Sequence, residues 1–332
     1  PFARLGDGSL LGIDPKGAGV SQDEGRTWEP RRIFDPAKFE TRGGALLRTR
    51  AGVVLFAFHN SKEAVLKWDQ AKGGPQEGSR VPLYFSRSAD DGKTWAAPVL
   101  LQDGWCGAVR NMIQLRSGRV YLVCQKAVRD PGRHVTINYY SDDEGRTWKP
   151  SESIDLGEYG GYGDHGGGIE GTVIERRDGS LKLLLRTPRG RFHEAVSRDG
   201  GEHWTDRKPA AIEASPAPGI MTRLASGRVV LVWNRYIDPV KKLGRREELS
   251  IAFSHDDGDT WTPPQVLATK HAPKEGKGPD SDYRVSYPYV FEQAPGRLWI
   301  TTTQGDLRMA LNEADWLKPV EPPLSRRTAQ QR

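Results

Sequence analysis

Apolar residues in this chain come in short bursts rather than in long stripes. PLYFSRS, VTINYYS, RFHEAVS and LSIAFS are rich in β-branched and aromatic side chains, and no long stretch keeps a 3.6-residue apolar period. Each burst ends at a cluster of turn formers. The pattern predicts short strands joined by tight turns, hence an all-β chain.

The turns form two independent series. The first is Ser-x-Asp-x-Gly-x-Thr-Trp, seen as SQDEGRTW (Ser21 to Trp28), SADDGKTW (Ser88 to Trp95), SDDEGRTW (Ser141 to Trp148), SRDGGEHW (Ser197 to Trp204) and SHDDGDTW (Ser254 to Trp261). The intervals between the serines are 67, 53, 56 and 57 residues. Asp binds local N–H groups and Gly accepts positive φ, so each copy is a hairpin turn. The Trp covers apolar side chains between neighbouring sheets. Asp23, Asp90, Asp143, Asp199 and Asp256 therefore read as scaffold.

The second series is a small turn followed by an apolar run. It occurs at Asp7-Gly8, Ala51-Gly52, Ser117-Gly118, Asp178-Gly179, Ser226-Gly227 and Pro295-Gly296. The first five each precede one Asp-Gly-Trp copy. The sixth leads to DLRMALNEADWL, a degenerate closing unit. Two hairpins per unit make a four-stranded sheet that cannot bury its faces alone. Six such units in 332 residues predict a six-bladed β-propeller with four-stranded antiparallel blades. One domain over residues 1–320 is expected, with a polar tail at 321–332.

Charge and cysteine content narrow the function classes. The net charge is +6, but Lys and Arg are dispersed, which argues against nucleic acid. No apolar stretch approaches a membrane span. The chain opens at Pro1 without a signal-peptide pattern, and the expectation is a secreted or periplasmic protein with its leader trimmed. Pairing about the Ser117-Gly118 turn sets Cys124 opposite roughly Asn111, so Cys106 and Cys124 read as separate buried thiols. No CxxC or His-x-x-x-His spacing points to zinc. No cofactor or metal is expected, although calcium held by loop carboxylates stays open. The state expected is a monomer.

The repeated Ser-x-Asp-x-Gly-x-Thr-Trp resembles the Asp box of the sialidase (neuraminidase) superfamily, over nearly the whole chain. The resemblance implies a glycoside hydrolase that grips a sugar carboxylate with three arginines. Guanidinium suits this because it is always charged and presents paired donors. The first is matched by Arg42 in ETRGGALLRTR, where Arg-Gly-Gly replaces the family's Arg-Ile-Pro. The second follows a glutamate across one hairpin, which matches Glu170 and Arg186 in IEGTVIERRDGSLKLLLRT. Near-equal offsets from the Asp178-Gly179 turn set the two side by side. The third stands eight residues before an Asp-box serine, which gives Arg246, with Arg245 as the alternative.

The family nucleophile is a tyrosine in the last blade, matched by Tyr287 in VSYPYVFEQAPG, with Tyr283 and Tyr289 as rivals. A phenol suits an anomeric carbon that already bears a carboxylate. Glu170 would take its proton. The acid/base aspartate is matched by Asp69, the single aspartate of HNSKEAVLKWDQAKGGPQEGSRVP. Trp68 would desolvate it, and Glu63 and Glu77 are alternatives. The loop GEYGGYGDHGGGIE carries Tyr159, Tyr162, Asp164 and His165. It reads either as a flexible surface loop or as a substrate-contact loop, with Asp164 or His165 touching sugar hydroxyls or replacing the acid. His193 reads as core or rim. Two other classes stay open: an enzyme acting on another acidic glycan, and a glycan-binding propeller without catalysis.

Overall fold

PLYFSRS, RFHEAVS and LSIAFS each supply one antiparallel strand, whereas VTINYYS is divided between Arg133–Thr136, which pairs with Gln125–Val128, and Tyr139–Ser141. The computed structural model describes residues 1–163, 165–235, 246–270 and 284–317, apart from the side chains at 42 and 43. The expected tail at 321–332 lies outside the described residues. The first blade comprises Phe2–Arg4, Leu10–Asp14, Gly17–Ser21 and Glu29–Arg31. The second comprises Thr41–Arg48, Val54–Asn60, Leu83–Ser88 and Val99–Gln102. The third comprises Asn111–Gln114, Val120–Val123, Tyr139–Ser141 and Lys149–Pro150. The fourth comprises Ile169–Glu175, Leu181–Arg186, Arg191–Ser197 and Thr205–Glu213. The fifth comprises Ile220–Arg223, Val229–Trp233, Glu248–Ser254 and Gln265–Thr269.

The sixth blade has three strands among the described residues, Ser286–Ala294, Arg297–Gln304 and Arg308–Asn312. DLRMALNEADWL supplies the last of these and then a helical turn, Glu313–Trp316. First strands of successive blades touch, and the first strand of blade six touches that of blade one. The result is a closed six-bladed propeller, as the two turn series predict.

The core lies between blades, because each sheet buries both faces against its neighbours. Five apolar clusters of described residues each bridge one pair of consecutive blades, from one–two to five–six. The six–one junction is aromatic, with Phe2 against Trp28, Phe291 and Trp299 at 5.4–5.9 Å. Asp-box tryptophans pack on the preceding blade. Trp148 meets Phe85 edge-on at 4.8 Å, and Trp204 meets Tyr121 at 6.1 Å. Cys106 and Cys124 are free and buried.

The box itself is a small hydrogen-bonded clamp. Asp143 Oδ1 accepts from the Thr147 N–H at 2.9 Å and the Ser141 hydroxyl at 2.8 Å, and Oδ2 accepts from the Thr147 hydroxyl at 2.6 Å. The residue before each box glycine takes positive φ: Glu24, Asp91, Glu144, Gly200 and Asp257. The turns of the second series also need it, with φ between 74° and 99° at Gly8, Gly52, Gly118, Gly179, Gly227 and Gly296.

Antiparallel topology then sorts the loops. Turns between first and second strands, and box turns between third and fourth, must share one face of the disc. Loops between second and third strands, and crossings from blade to blade, must share the other. Arg42, Asp69, Glu170, Arg186, Arg246 and Tyr287 all lie in or beside segments of this second face.

Candidate active site

Glu170 and Arg186 begin and end the first hairpin of blade four. Ile169 pairs with Arg186 and Thr172 with Leu184, so one extra residue bulges out between them. Glu170 lies in that bulge at φ 49°. The equal offsets alone would set Glu170 opposite Arg186; the bulge moves the register by one and still joins the pair. Arg186 Nη1 donates to Glu170 Oε2 and, at 3.3 Å, to the Tyr287 hydroxyl. The Glu170 N–H donates to Gln125 Oε1 at 2.6 Å, which ties the bulge to blade three.

Tyr287 is the second residue of the inner strand of blade six. Its hydroxyl donates to Glu170 Oε1 at 2.9 Å. Arg246 stands two residues ahead of the third strand of blade five, which begins at Glu248, and its guanidinium carbon lies 5.3 Å from the Tyr287 ring centre. Arg246 Nη2 donates to the Pro216 carbonyl at 2.9 Å, and Nη1 to Gln304 Oε1 at 3.3 Å. Buried Asn234 joins the two segments, donating to the Glu248 and Val285 carbonyls and accepting from the Ser286 hydroxyl.

Backbone strain marks the same residues. Ten non-glycine residues take positive φ among those described. Four belong to Asp boxes and three are aspartates, a residue type that tolerates this conformation: Asp130 and Asp306 between strands, and Asp206 at a register shift within Thr205–Glu213. The other three are Glu170, Arg246 and Tyr287. Three strained residues meeting at one point is the usual mark of a site held for function.

Charge is concentrated here. Burial resists ionisation of Glu170, but Arg186, Arg110 and the Tyr287 hydroxyl outweigh it and hold the carboxyl below the usual range. Burial pushes the Tyr287 phenol up, and the Glu170 charge adds to this. Burial and then the charge of Arg186 pull the Arg246 guanidinium below its ordinary value. Nε and Nη2 of Arg186 are buried without a hydrogen-bond partner among the described residues. Several guanidinium groups around one carboxylate leave a positive excess that suits an anionic ligand, with a protonated phenol bonded to an ionised base beside it.

Four expected residues therefore meet: Glu170, Arg186, Arg246 and Tyr287. Arg42 lies in Thr41–Arg48, at a register shift between Thr41 and Gly44, and its side chain lies outside the described part. Arg245, Tyr283 and Asp164 lie outside the described residues. Asp69 sits on a two-residue hairpin, where its Oδ1 accepts from the N–H groups of Ala71 and Lys72 at 3.0 and 3.1 Å. Trp68 packs on Trp105 at 5.5 Å and stacks on the His134 ring at 6.3 Å. Glu63 is bound to Tyr84, Asn60 and Arg80, and Glu77 and His165 are exposed. His193 is buried beside Tyr159.

Two residues escaped the sequence reading, Gln125 and Arg110. Arg110 is 6% exposed, with its guanidinium carbon 5.0 Å from the Tyr287 ring centre and 4.7 Å from that of Tyr289. A signal existed. Arg42, Arg110, Glu170 and Tyr287 each stand eight to ten residues before a turn glycine, so all four occupy the start of an inner strand. Gln125 had no such marker.

Residues 17–300 match the BNR repeat-like domain family. The chain belongs to that family. Among curated relatives, it is 27% identical to a sialidase of Micromonospora viridifaciens over 302 residues, and 25% identical to one of Bacteroides fragilis over 295. These alignments cover 79% and 76% of this chain but 43% and 48% of the relatives, so this BNR repeat-like chain spans less than half their length. Among solved structures, the intramolecular trans-sialidase of Ruminococcus gnavus superposes with a TM-score of 0.61 at 16% identity, covering 97% of this chain and 95% of that one. A protein of unknown function from Dyadobacter fermentans gives 0.64 at 20%, covering 93% and 91%. These two likenesses establish the shared propeller.

Proposed function

We propose that the chain is an exo-acting glycoside hydrolase of the sialidase type, which releases a terminal α-linked sialic acid or a related acidic sugar. The hydrogen bond from the buried Tyr287 phenol to Glu170, beside Arg186 and Arg246, carries this reading. Arg186, Arg246 and Arg42 hold the sugar carboxylate. Tyr287 attacks the anomeric carbon as the bond to the aglycone oxygen breaks. The phenol proton passes to Glu170, and Asp69 gives a proton to the departing oxygen. Asp69 then takes a proton from water as it attacks the same carbon from the face the aglycone left, Glu170 returns its proton to the departing phenol, and configuration is retained. A phenol bonded to an ionised base makes sense here because a carboxylate nucleophile would be repelled by the substrate's own charge.

Proton NMR of a cleaved sialyl-lactose would identify the anomer released first. Release of α-sialic acid supports the reading. First release of the β anomer, or no cleavage together with no binding of the 2,3-unsaturated sialic acid analogue, overturns it.

Arg-Gly-Gly in place of Arg-Ile-Pro at Arg42 and the altered loop around Asp69 favour a second reading, an enzyme acting on another acidic glycan such as a uronate. An absorbance rise from a newly unsaturated sugar would support it.

A further inference from the structure

Arg110 stands beside the Glu170, Arg186 and Tyr287 cluster, near enough for its charge to help hold the Glu170 carboxyl low. It precedes the inner strand of blade three, and it lines the central channel, a cavity of about 450 Å³ walled by the first strands of the blades. Tyr289 lines that channel too. Arg110 thus lies between the channel and Tyr287.

Its contacts fall on three consecutive residues of another blade. The guanidinium lies against the rings of Tyr287 and Tyr289, and Nη2 donates to the Pro288 carbonyl at 2.5 Å. That stretch needs holding. Tyr287 is at φ 60°, a conformation costly for an aromatic residue. It also precedes Pro288, whose ring pushes the residue before it towards extended backbone. The sequence around Tyr287 therefore disfavours the conformation in which its hydroxyl reaches Glu170. Arg110 supplies a planar group that can press on two rings while one edge binds a carbonyl, which an ammonium cannot reproduce.

We propose that Arg110 is a positioning residue: it holds the strained Tyr287–Pro288–Tyr289 segment from the channel side, so that the Tyr287 hydroxyl meets Glu170. This rests on the reading of Tyr287 as nucleophile. A positioning role predicts a loss in turnover without a matching loss in substrate binding.

The test is Arg110→Gln and Arg110→Lys in the full chain, each with two readouts. The first is kinetics on a fluorogenic α-sialoside. kcat should fall about 30- to 100-fold in Arg110→Gln, with KM changed less than about threefold. Arg110→Lys should recover at most a tenth of the wild-type kcat. The second is the phenol carbon resonance of ¹³Cζ-tyrosine, assigned with Tyr287→Phe. The Tyr287 signal should shift or broaden in Arg110→Gln, with melting still cooperative. If Arg110→Gln does not fold, Arg110→Lys carries both measurements.

An unchanged kcat with an unmoved Tyr287 resonance overturns the proposal. A rise in KM with kcat intact also overturns it, because Arg110 would then be binding substrate. If wild-type protein neither turns over a sialoside nor binds the 2,3-unsaturated sialic acid analogue, the nucleophile reading fails. The resonance still decides whether Arg110 sets Tyr287, so the two failures are distinguishable.

Discussion

The two faces of the propeller are built by opposite rules. On the turn face, one local device repeats in every box: a serine, an aspartate and a left-handed residue before glycine close a short hairpin. Arginines there bind the next blade's turn, as Arg50 does with the Leu115 carbonyl and Arg116 with those of Arg176 and Arg177. On the other face no device recurs in every blade among the described residues, although the bulge between Ile169 and Thr172 has a counterpart between Thr41 and Gly44. Glu170 sits in a bulge, Arg246 ahead of a strand and Tyr287 before a proline, and all three carry left-handed backbone. The regular face needs only neighbours in sequence. The irregular face is held by residues from blades three to six, which is how strain is kept at a site.

Variants should divide the same way, with turnover lost on one face and stability on the other. Tyr287→Phe should reduce turnover on a fluorogenic sialoside by roughly three orders of magnitude, with Tm nearly unchanged. Wild-type activity in that variant would remove the nucleophile. Trp204→Ala, on the turn face, should lower stability by about 3–5 kcal/mol in urea unfolding, while the protein that stays folded keeps its KM. A change in KM there would mean the faces are coupled.

Arg186→Lys keeps a charge but loses the fork, and should cost about 10- to 100-fold in kcat/KM. Equal activity would show that charge alone suffices. The smallest effect concerns pH. The Thr94 hydroxyl and N–H, with the Ser88 hydroxyl, hold Asp90 at about 2, below the usual 3.8. A value depressed in the folded state contributes stability above the unfolded value and loses it as pH falls towards the folded one. Tm should therefore be insensitive to Asp90→Asn below about pH 2 and lower in the variant above about pH 4. Equal Tm values at neutral pH would show that the box carboxylate contributes nothing.

Particular residues show why legibility differed between the faces. Glu170, Arg186, Arg246 and Tyr287 were reachable because the turn glycines act as rulers along antiparallel strands. A residue a fixed distance from such a turn falls at a known strand end. The ruler gave Glu170 the right neighbour but the wrong register, since the bulge at Glu170 and Gly171 leaves no mark in composition. Arg110 satisfied the same ruler and passed unnoticed because no charge partner lies near it in the chain. Its partners are Tyr287, Pro288 and Tyr289, more than half the chain length away. Gln125 supports Glu170 from another blade through a backbone N–H, a contact that no side-chain pattern encodes.

The amino-acid sequence by itself determined the number of blades and the place of the turns in both series. These follow from turn residues and strand alternation, which act over a few positions. Only the tertiary structure decided that Glu170 bulges, that Tyr287 adopts a left-handed backbone before a proline, and that Arg110 lies against its ring. Such contacts join positions far apart along the chain, and closing the ring of blades is what brings them within hydrogen-bond reach.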